Sequence, residues 1–156
     1  MKKEPTYLTQ QGINDLKKEL KYLEETRKEE IAKRLRFAIE QGDISENADY
    51  TATKEEQSFV EGRILELQAL LGNVVNIDEL SKDKNAVNIG NTVVIAEPGE
   101  EPEEYRIVGS QESDPASGKI SFRSPIGAAL YGKKVGDTVT AQAPNGVIEF
   151  KILEIR

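Results

Sequence analysis

The sequence predicts an α+β protein: an N-terminal antiparallel α-helical coiled-coil hairpin, then a mainly antiparallel β domain carrying one short helix. Three observations predict it. Residues 9–71 contain no proline and only the glycines Gly12, Gly42 and Gly62, so few residues there oppose a helix. Apolar side chains in that stretch recur at three- and four-residue steps. Beyond Asn73 the pattern changes to short β-type runs separated by Gly, Pro and Asn.

Thr9 is an N-cap candidate for the first helix. Its apolar seam runs through Ile13, Leu16, Leu20 and Leu23 and continues at Ile31, Leu35 and Ala38. Arg27 occupies the step between Leu23 and Ile31, and the resulting run of fours relaxes a left-handed supercoil at that point. Residues 9–41, about 33 in number at about 1.5 Å each, make a rod of roughly 50 Å. A second seam runs through Val60, Ile64, Leu67 and Leu71, with Phe59 beside it, and Gly72-Asn73 is a stop signal. Neither stripe can stay in water, so the helices fold on each other across a break near residues 42–45. Five strands are expected at residues 93–96, 105–108, 120–122, 135–141 and 147–155, with Asn145-Gly146 as a hairpin signal. Ser124-Pro125 ahead of Ile126, Ala128, Ala129 and Leu130 predicts a capped short helix with proline at its first position. The expected division is 1–78 for the coiled coil, with its acidic tip at about 42–50, and 79–156 for the globular part.

Composition removes whole classes of chemistry. There is no Cys, His or Trp, which excludes thiol nucleophiles, Ser-His relays and zinc hydrolases together. The formal charge of −7 excludes a general DNA binder, because non-specific affinity for phosphate comes from clustered cations. Met1 to Pro5 lead into polar sequence rather than an apolar signal core, and no apolar run of about 18 residues is present to span a membrane. A soluble, cytoplasmic protein is expected.

The segment Gly42-Asp43-Ile44-Ser45-Glu46-Asn47-Ala48-Asp49-Tyr50 is the candidate site. No Lys or Arg lies between Phe37 and Thr53, while Glu40, Asp43, Glu46 and Asp49 do. Asp43 and Glu46 match a capping-box spacing, and Ser45 could equally cap the second helix. Four carboxylates at one bend with no neighbouring cation also suit a hard divalent ion. Magnesium is commonly held by one or two carboxylates, with water and phosphate completing its shell. Behind the tip, Arg27, Lys28, Lys33, Arg34 and Arg36 alternate with Glu24, Glu25, Glu29 and Glu30, the pattern of solvated helix-face pairs. Tyr50 and Phe59 are expected to pack, and Arg63 to flank the seam. The acidic run 97–104 is expected to be a solvated loop.

The tip, continuing through Lys54-Glu55-Glu56-Gln57 to Phe59-Val60-Glu61-Gly62-Arg63-Ile64, resembles the second helix of the GreA family of bacterial transcript cleavage factors. Tyr7-Leu8-Thr9 resembles that family's N-terminal entry. Ser124-Pro125-Ile126-Gly127, Gly132-Lys133-Lys134-Val135-Gly136-Asp137 and Ala143-Pro144-Asn145-Gly146 resemble its C-terminal domain. The resemblance implies an FKBP-like fold for that domain and a monomeric cofactor of RNA polymerase rather than an enzyme. It implies that the coiled coil enters the polymerase secondary channel, where Asp43 and Glu46 help hold Mg2+ shared with the polymerase active site and orient water. The polymerase then cuts the 3′ end of backtracked nascent RNA. Lys54 matches the basic position next to the tip, expected to attract that RNA, and Ser124 and Pro125 lie where polymerase contact is expected. Asp49 stands where the family often has Glu, and Thr51 where His is common. Two other functions remain open at this level. One is a channel inhibitor of the same build that does not promote cleavage. The other is a free-standing adaptor or proline isomerase, for which residues 81–156 offer only Tyr105, Phe122, Tyr131 and Phe150 as aromatics.

Overall fold

A computed structural model describes residues 4–42 and 46–156. In chain order the elements are β1 (Thr6–Leu8), α1 (Gln10–Tyr22), a π-helical turn (Leu23–Arg27), α2 (Lys28–Glu40), α3 (Ala48–Gly72), β2 (Val74–Asn76), α4 (Ile77–Leu80), β3 (Thr92–Ala96), β4 (Glu103–Val108), β5 (Lys119–Ser121), α5 (Pro125–Leu130), β6 (Thr138–Ala143) and β7 (Gly146–Ile155). The expected α+β class, hairpin and mainly antiparallel sheet are all present. The chain forms two compact units, residues 14–73 and residues 1–13 with 74–156. This differs from a division at residue 78, because β1 pairs in parallel with β2, Thr6 opposite Val74 and Leu8 opposite Asn76.

In the helical unit, α1, the π turn and α2 run on without leaving helical dihedrals, Tyr22 lying at φ −59° and Lys28 at φ −60°. The π turn falls where Arg27 interrupts the apolar seam. A π turn takes one extra residue per turn, which resets the stripe so that Ile31 is buried against Val60 and Ile64, with Leu20 and Leu23 alongside. Arg63 donates two hydrogen bonds to Glu19, at 2.8 and 2.9 Å, a forked geometry that ties α3 to α1. That contact lowers the Glu19 pKa, chiefly through the hydrogen bond from Arg63. Arg63 is thus a seam-flanking cation, as expected. Phe59 corrects the expectation of packing: it is 76% exposed, since its neighbour Val60 takes the inward position on the helix.

In the other unit the five expected strands form one sheet of order β5-β4-β3-β7-β6. Only the β4–β5 pair is parallel. Val93, Ile107, Leu130, Phe150 and Ile152 fill the core on the face that α5 covers. The β6–β7 hairpin is present, but Ala143 pairs with Gly146, so Pro144-Asn145 forms the turn centre rather than Asn145-Gly146. Proline presets the φ that this position requires. The sixth strand starts at Thr138 rather than Val135, which is 55% exposed. The wholly buried Asn91 fastens the chain end: its Nδ2 donates to the carbonyls of Ser81, Asp83 and Arg156, while its Oδ1 accepts from Asn88 N.

Thr9 caps α1 as expected, its Oγ1 accepting from Gly12 N at 3.0 Å. Glu112 in turn accepts from the Thr9 amide and hydroxyl. Asp78 accepts from Gln10 N at 2.9 Å and from Arg106 at 2.7 Å, and these partners, the Gln10 amide first, hold its pKa below the ordinary aspartate value. A lowered folded pKa contributes stability that is complete above the unfolded pKa and is lost as pH falls through the folded one. Asp78→Asn is expected to cost about 1 kcal/mol at neutral pH after solvent screening. The variant should also show a smaller drop in thermal midpoint than the parent between about pH 6 and about pH 3. Calorimetry at the two pH values checks this; an unchanged drop would remove Asp78 from the acid response.

Candidate functional site: the hairpin tip and the start of the short helix

The tip is built by small residues and one asparagine. Ala38 and Thr53 are both fully buried, so α2 and α3 approach closely where no large side chain intervenes. Thr53 Oγ1 donates to the Asp49 carbonyl at 2.7 Å. Asn47 is the N-cap of α3: its Oδ1 accepts from Tyr50 N at 3.0 Å and its Nδ2 donates to the Ala38 carbonyl at 2.5 Å. One side chain thereby satisfies an orphan donor of α3 and fastens α3 to the end of α2. The N-cap of α3 is Asn47; Asp43 and Ser45, the capping candidates of the sequence, lie outside the described residues. An Asn directly before a helix-forming run was the available sequence signal.

With capping performed by Asn47, the carboxylate next to it is released from structural duty. Glu46, Glu40 and Asp49 are exposed, and among the described residues none has a Lys or Arg within ion-pair distance. A shallow groove of about 280 Å3 lies beside Glu46, lined by Gln41, Gly42, Asn47 and Ala48. Gly42 has φ 147°, a conformation that disfavours other residues. Asp43, the proposed partner of Glu46, lies outside the described residues. Among the described residues no group of three or more acidic side chains is placed to hold a metal ion.

Cations return one turn further along. Arg27 and Arg34 both pair with Glu56 of α3, Arg34 at 2.7 Å, and Lys33 pairs with Glu29. Arg27, Lys33 and Arg34 of the basic band are thus used in ion pairs within and between the helical segments. Lys54 is exposed and its Nζ reaches only the uncharged Gln57 Oε1, at 3.3 Å, so its charge has no acidic partner among the described residues. Tyr50 is half-buried, consistent with packing.

In the sheet unit, Ser124 is the N-cap of α5, accepting from Gly127 N at 3.1 Å and donating to the Ser121 carbonyl at 2.6 Å. Pro125 follows at the first helical position and is exposed. Gly127 stands in the sequence only as part of the Ser124-Pro125-Ile126-Gly127 motif, with no role of its own. A Cβ there would stand 2.0 Å from the Ser121 carbonyl oxygen, so the turn of α5 sits on the end of β5 only because that atom is missing.

Similarity to known proteins places the chain among the transcription elongation factors. The family model "Transcription elongation factor, N-terminal" matches residues 6–75, and "Transcription elongation factor, GreA/GreB, C-term" matches residues 82–156. The chain belongs to the GreA/GreB family. It is 49% identical to transcription elongation factor GreA of Caldanaerobacter subterraneus subsp. tengcongensis over 97% of this chain and 98% of that one. It is 42% identical to the GreA of Clostridium acetobutylicum over the full length of both. Among solved structures it resembles GreA factor homolog 1 (Gfh1) of Thermus thermophilus, at 29% identity and a TM-score of 0.45, covering 98% of this chain and 99% of that one. Among the described residues no helix is long and apolar enough to cross a membrane.

Proposed function

We propose that this protein is a monomeric, cytoplasmic cofactor of bacterial RNA polymerase that inserts its hairpin into the secondary channel and stimulates cleavage of the 3′ end of backtracked RNA, rescuing arrested complexes. The observation that carries this reading is the exposed acidic side chain of Glu46, with no Lys or Arg partner among the described residues. Glu46 is exposed and bonded to nothing described, whereas the adjacent Asn47 does the structural work. A free carboxylate is a hard oxygen donor of the kind magnesium takes. Magnesium shared between polymerase and tip would supply Lewis-acid stabilisation of the attacking and leaving oxygens. Asp43 and Glu46 would contribute ligand oxygens to that ion and orient the attacking water, Lys54 would attract the extruded RNA phosphates, and Ser124 with Pro125 would present the start of α5 to polymerase. In this reading water is the nucleophile and the bond is cut in the polymerase active site.

The test is a stalled, backtracked elongation complex supplied with magnesium. The wild-type chain is expected to shorten the RNA from its 3′ end, and Asp43→Ala is expected not to. Inhibition of elongation without shortening would reassign the protein as a channel inhibitor.

A further inference from the structure

The acidic run 97–104 is exposed throughout, as expected of a solvated loop, with Glu103 and Glu104 already in β4, and four of its glutamates also border a cavity. The space of about 190 Å3 has Glu97, Glu100, Glu101 and Glu103 at its rim. Its walls are apolar, formed by the Phe150 ring, Ile148 and Ile126, with the half-buried Tyr105 closing one side. Tyr105 donates its hydroxyl hydrogen bond to Glu103 Oε2 at 2.7 Å, which orients its ring and, as the main cause, pushes its pKa up to about 12. The phenol is therefore neutral at physiological pH.

Among the described residues no Lys or Arg lies within ion-pair distance of Glu97, Glu100, Glu101 or Glu103. Glu104, next in the run, is by contrast paired with Arg156. Four like charges around one opening repel each other, and the fold leaves that repulsion unrelieved while satisfying neighbouring carboxylates. An apolar wall with an aromatic face and an anionic rim is complementary to a long side chain with an aliphatic stem and a cationic head. It is hostile to phosphate, which excludes nucleic acid as the occupant. Ile126 places the cavity immediately beside Pro125, at the start of α5.

We propose that this cavity receives an arginine or lysine side chain of RNA polymerase and so anchors the β unit on it. The inference rests on the proposed function, since it takes polymerase as the partner, and it adds the chemistry of the contact. The stem lies against Ile126, Ile148 and Phe150, and the head meets the glutamate rim and the Tyr105 ring.

The test is binding of the full-length chain to bacterial core RNA polymerase, followed by fluorescence anisotropy over a range of salt concentrations. The double variant Glu97→Gln/Glu101→Gln is expected to bind about 10-fold more weakly, with a flatter salt dependence. Its thermal midpoint should be unchanged or higher, because like-charge repulsion has been removed, and its maximal cleavage at saturating protein should match wild type. The double variant Glu79→Gln/Asp83→Asn, with the same change in net charge, is expected to bind like wild type. Equal loss in both pairs, or binding of Glu97→Gln/Glu101→Gln within twofold of wild type, overturns the cavity assignment and leaves the proposed function standing. Self-association of the wild-type chain that the rim variant abolishes would give the cavity to a second copy and overturn it as well. A wild-type chain that binds no polymerase overturns both readings.

Discussion

Glu46→Gln is expected to lower polymerase-dependent RNA cleavage by about 100-fold, the order lost when one charged group serving a transition state is removed, while polymerase binding stays within about twofold. The substitution keeps the side chain's size and one oxygen but removes the negative charge. Nothing in the fold depends on that charge, because Glu46 is exposed and has no cationic partner among the described residues. Capping of α3 and the link to α2 belong to Asn47. The thermal midpoint should therefore be unaltered, and the loss should appear in the cleavage rate at saturating protein rather than in the concentration needed for half effect. Single-turnover cleavage of a backtracked complex, run beside a binding titration, separates the two. A variant that cleaves like wild type would take Glu46 out of the chemistry. Weakened binding with an unchanged maximal rate would make it a docking residue instead.

The second large effect is expected at Gly127. An added Cβ would meet the Ser121 carbonyl oxygen at 2.0 Å and the Ser124 hydroxyl at 3.0 Å. Backbone at one contact and the cap itself at the other leave no flexible group to yield. Gly127→Ala must lift α5 from the end of β5, at a cost of about 3 kcal/mol, the upper part of the usual range for overpacking. The Ser121–Ser124 bond would break with it. Denaturant unfolding should show the loss, and polymerase binding should weaken because Ser124 and Pro125 are displaced. Ala128→Gly provides the contrast: it lies on the exposed side of the same helix and should cost no more than about 1 kcal/mol. If Gly127→Ala is equally mild, the close approach of α5 to β5 does not matter energetically.

Much of the architecture was legible because periodicity reports which face of an element is buried. Ile31, Val60 and Ile64 were seam residues by spacing and are buried together, and the five strands of the sheet lie where β-type runs were bounded by turn residues. Even the π turn had a trace, since Arg27 in an apolar seam cannot be accommodated without shifting the stripe. Residues whose role depends on an atom brought from far along the chain were not legible. The three-residue strands β1 and β2 are too short to show a period, and their pairing across 68 positions is what moves the unit boundary. Gly127 reads as an ordinary small residue until the Ser121 carbonyl is placed against it.

At the tip the division is sharper. Composition and spacing alone settled that an acid-rich bend closes a long helical hairpin, because charge and hydrophobic period are carried by residue identity. Which side chain caps the second helix depended on the approach of the two helices through Ala38 and Thr53. That approach brings the Ala38 carbonyl within reach of Asn47, a hydrogen bond across nine positions that no local pattern encodes. The same holds for residues 97–104: their charge was plain in the sequence, but the apolar walls behind it come from α5 and β7, and only folding puts the two chemistries around one opening.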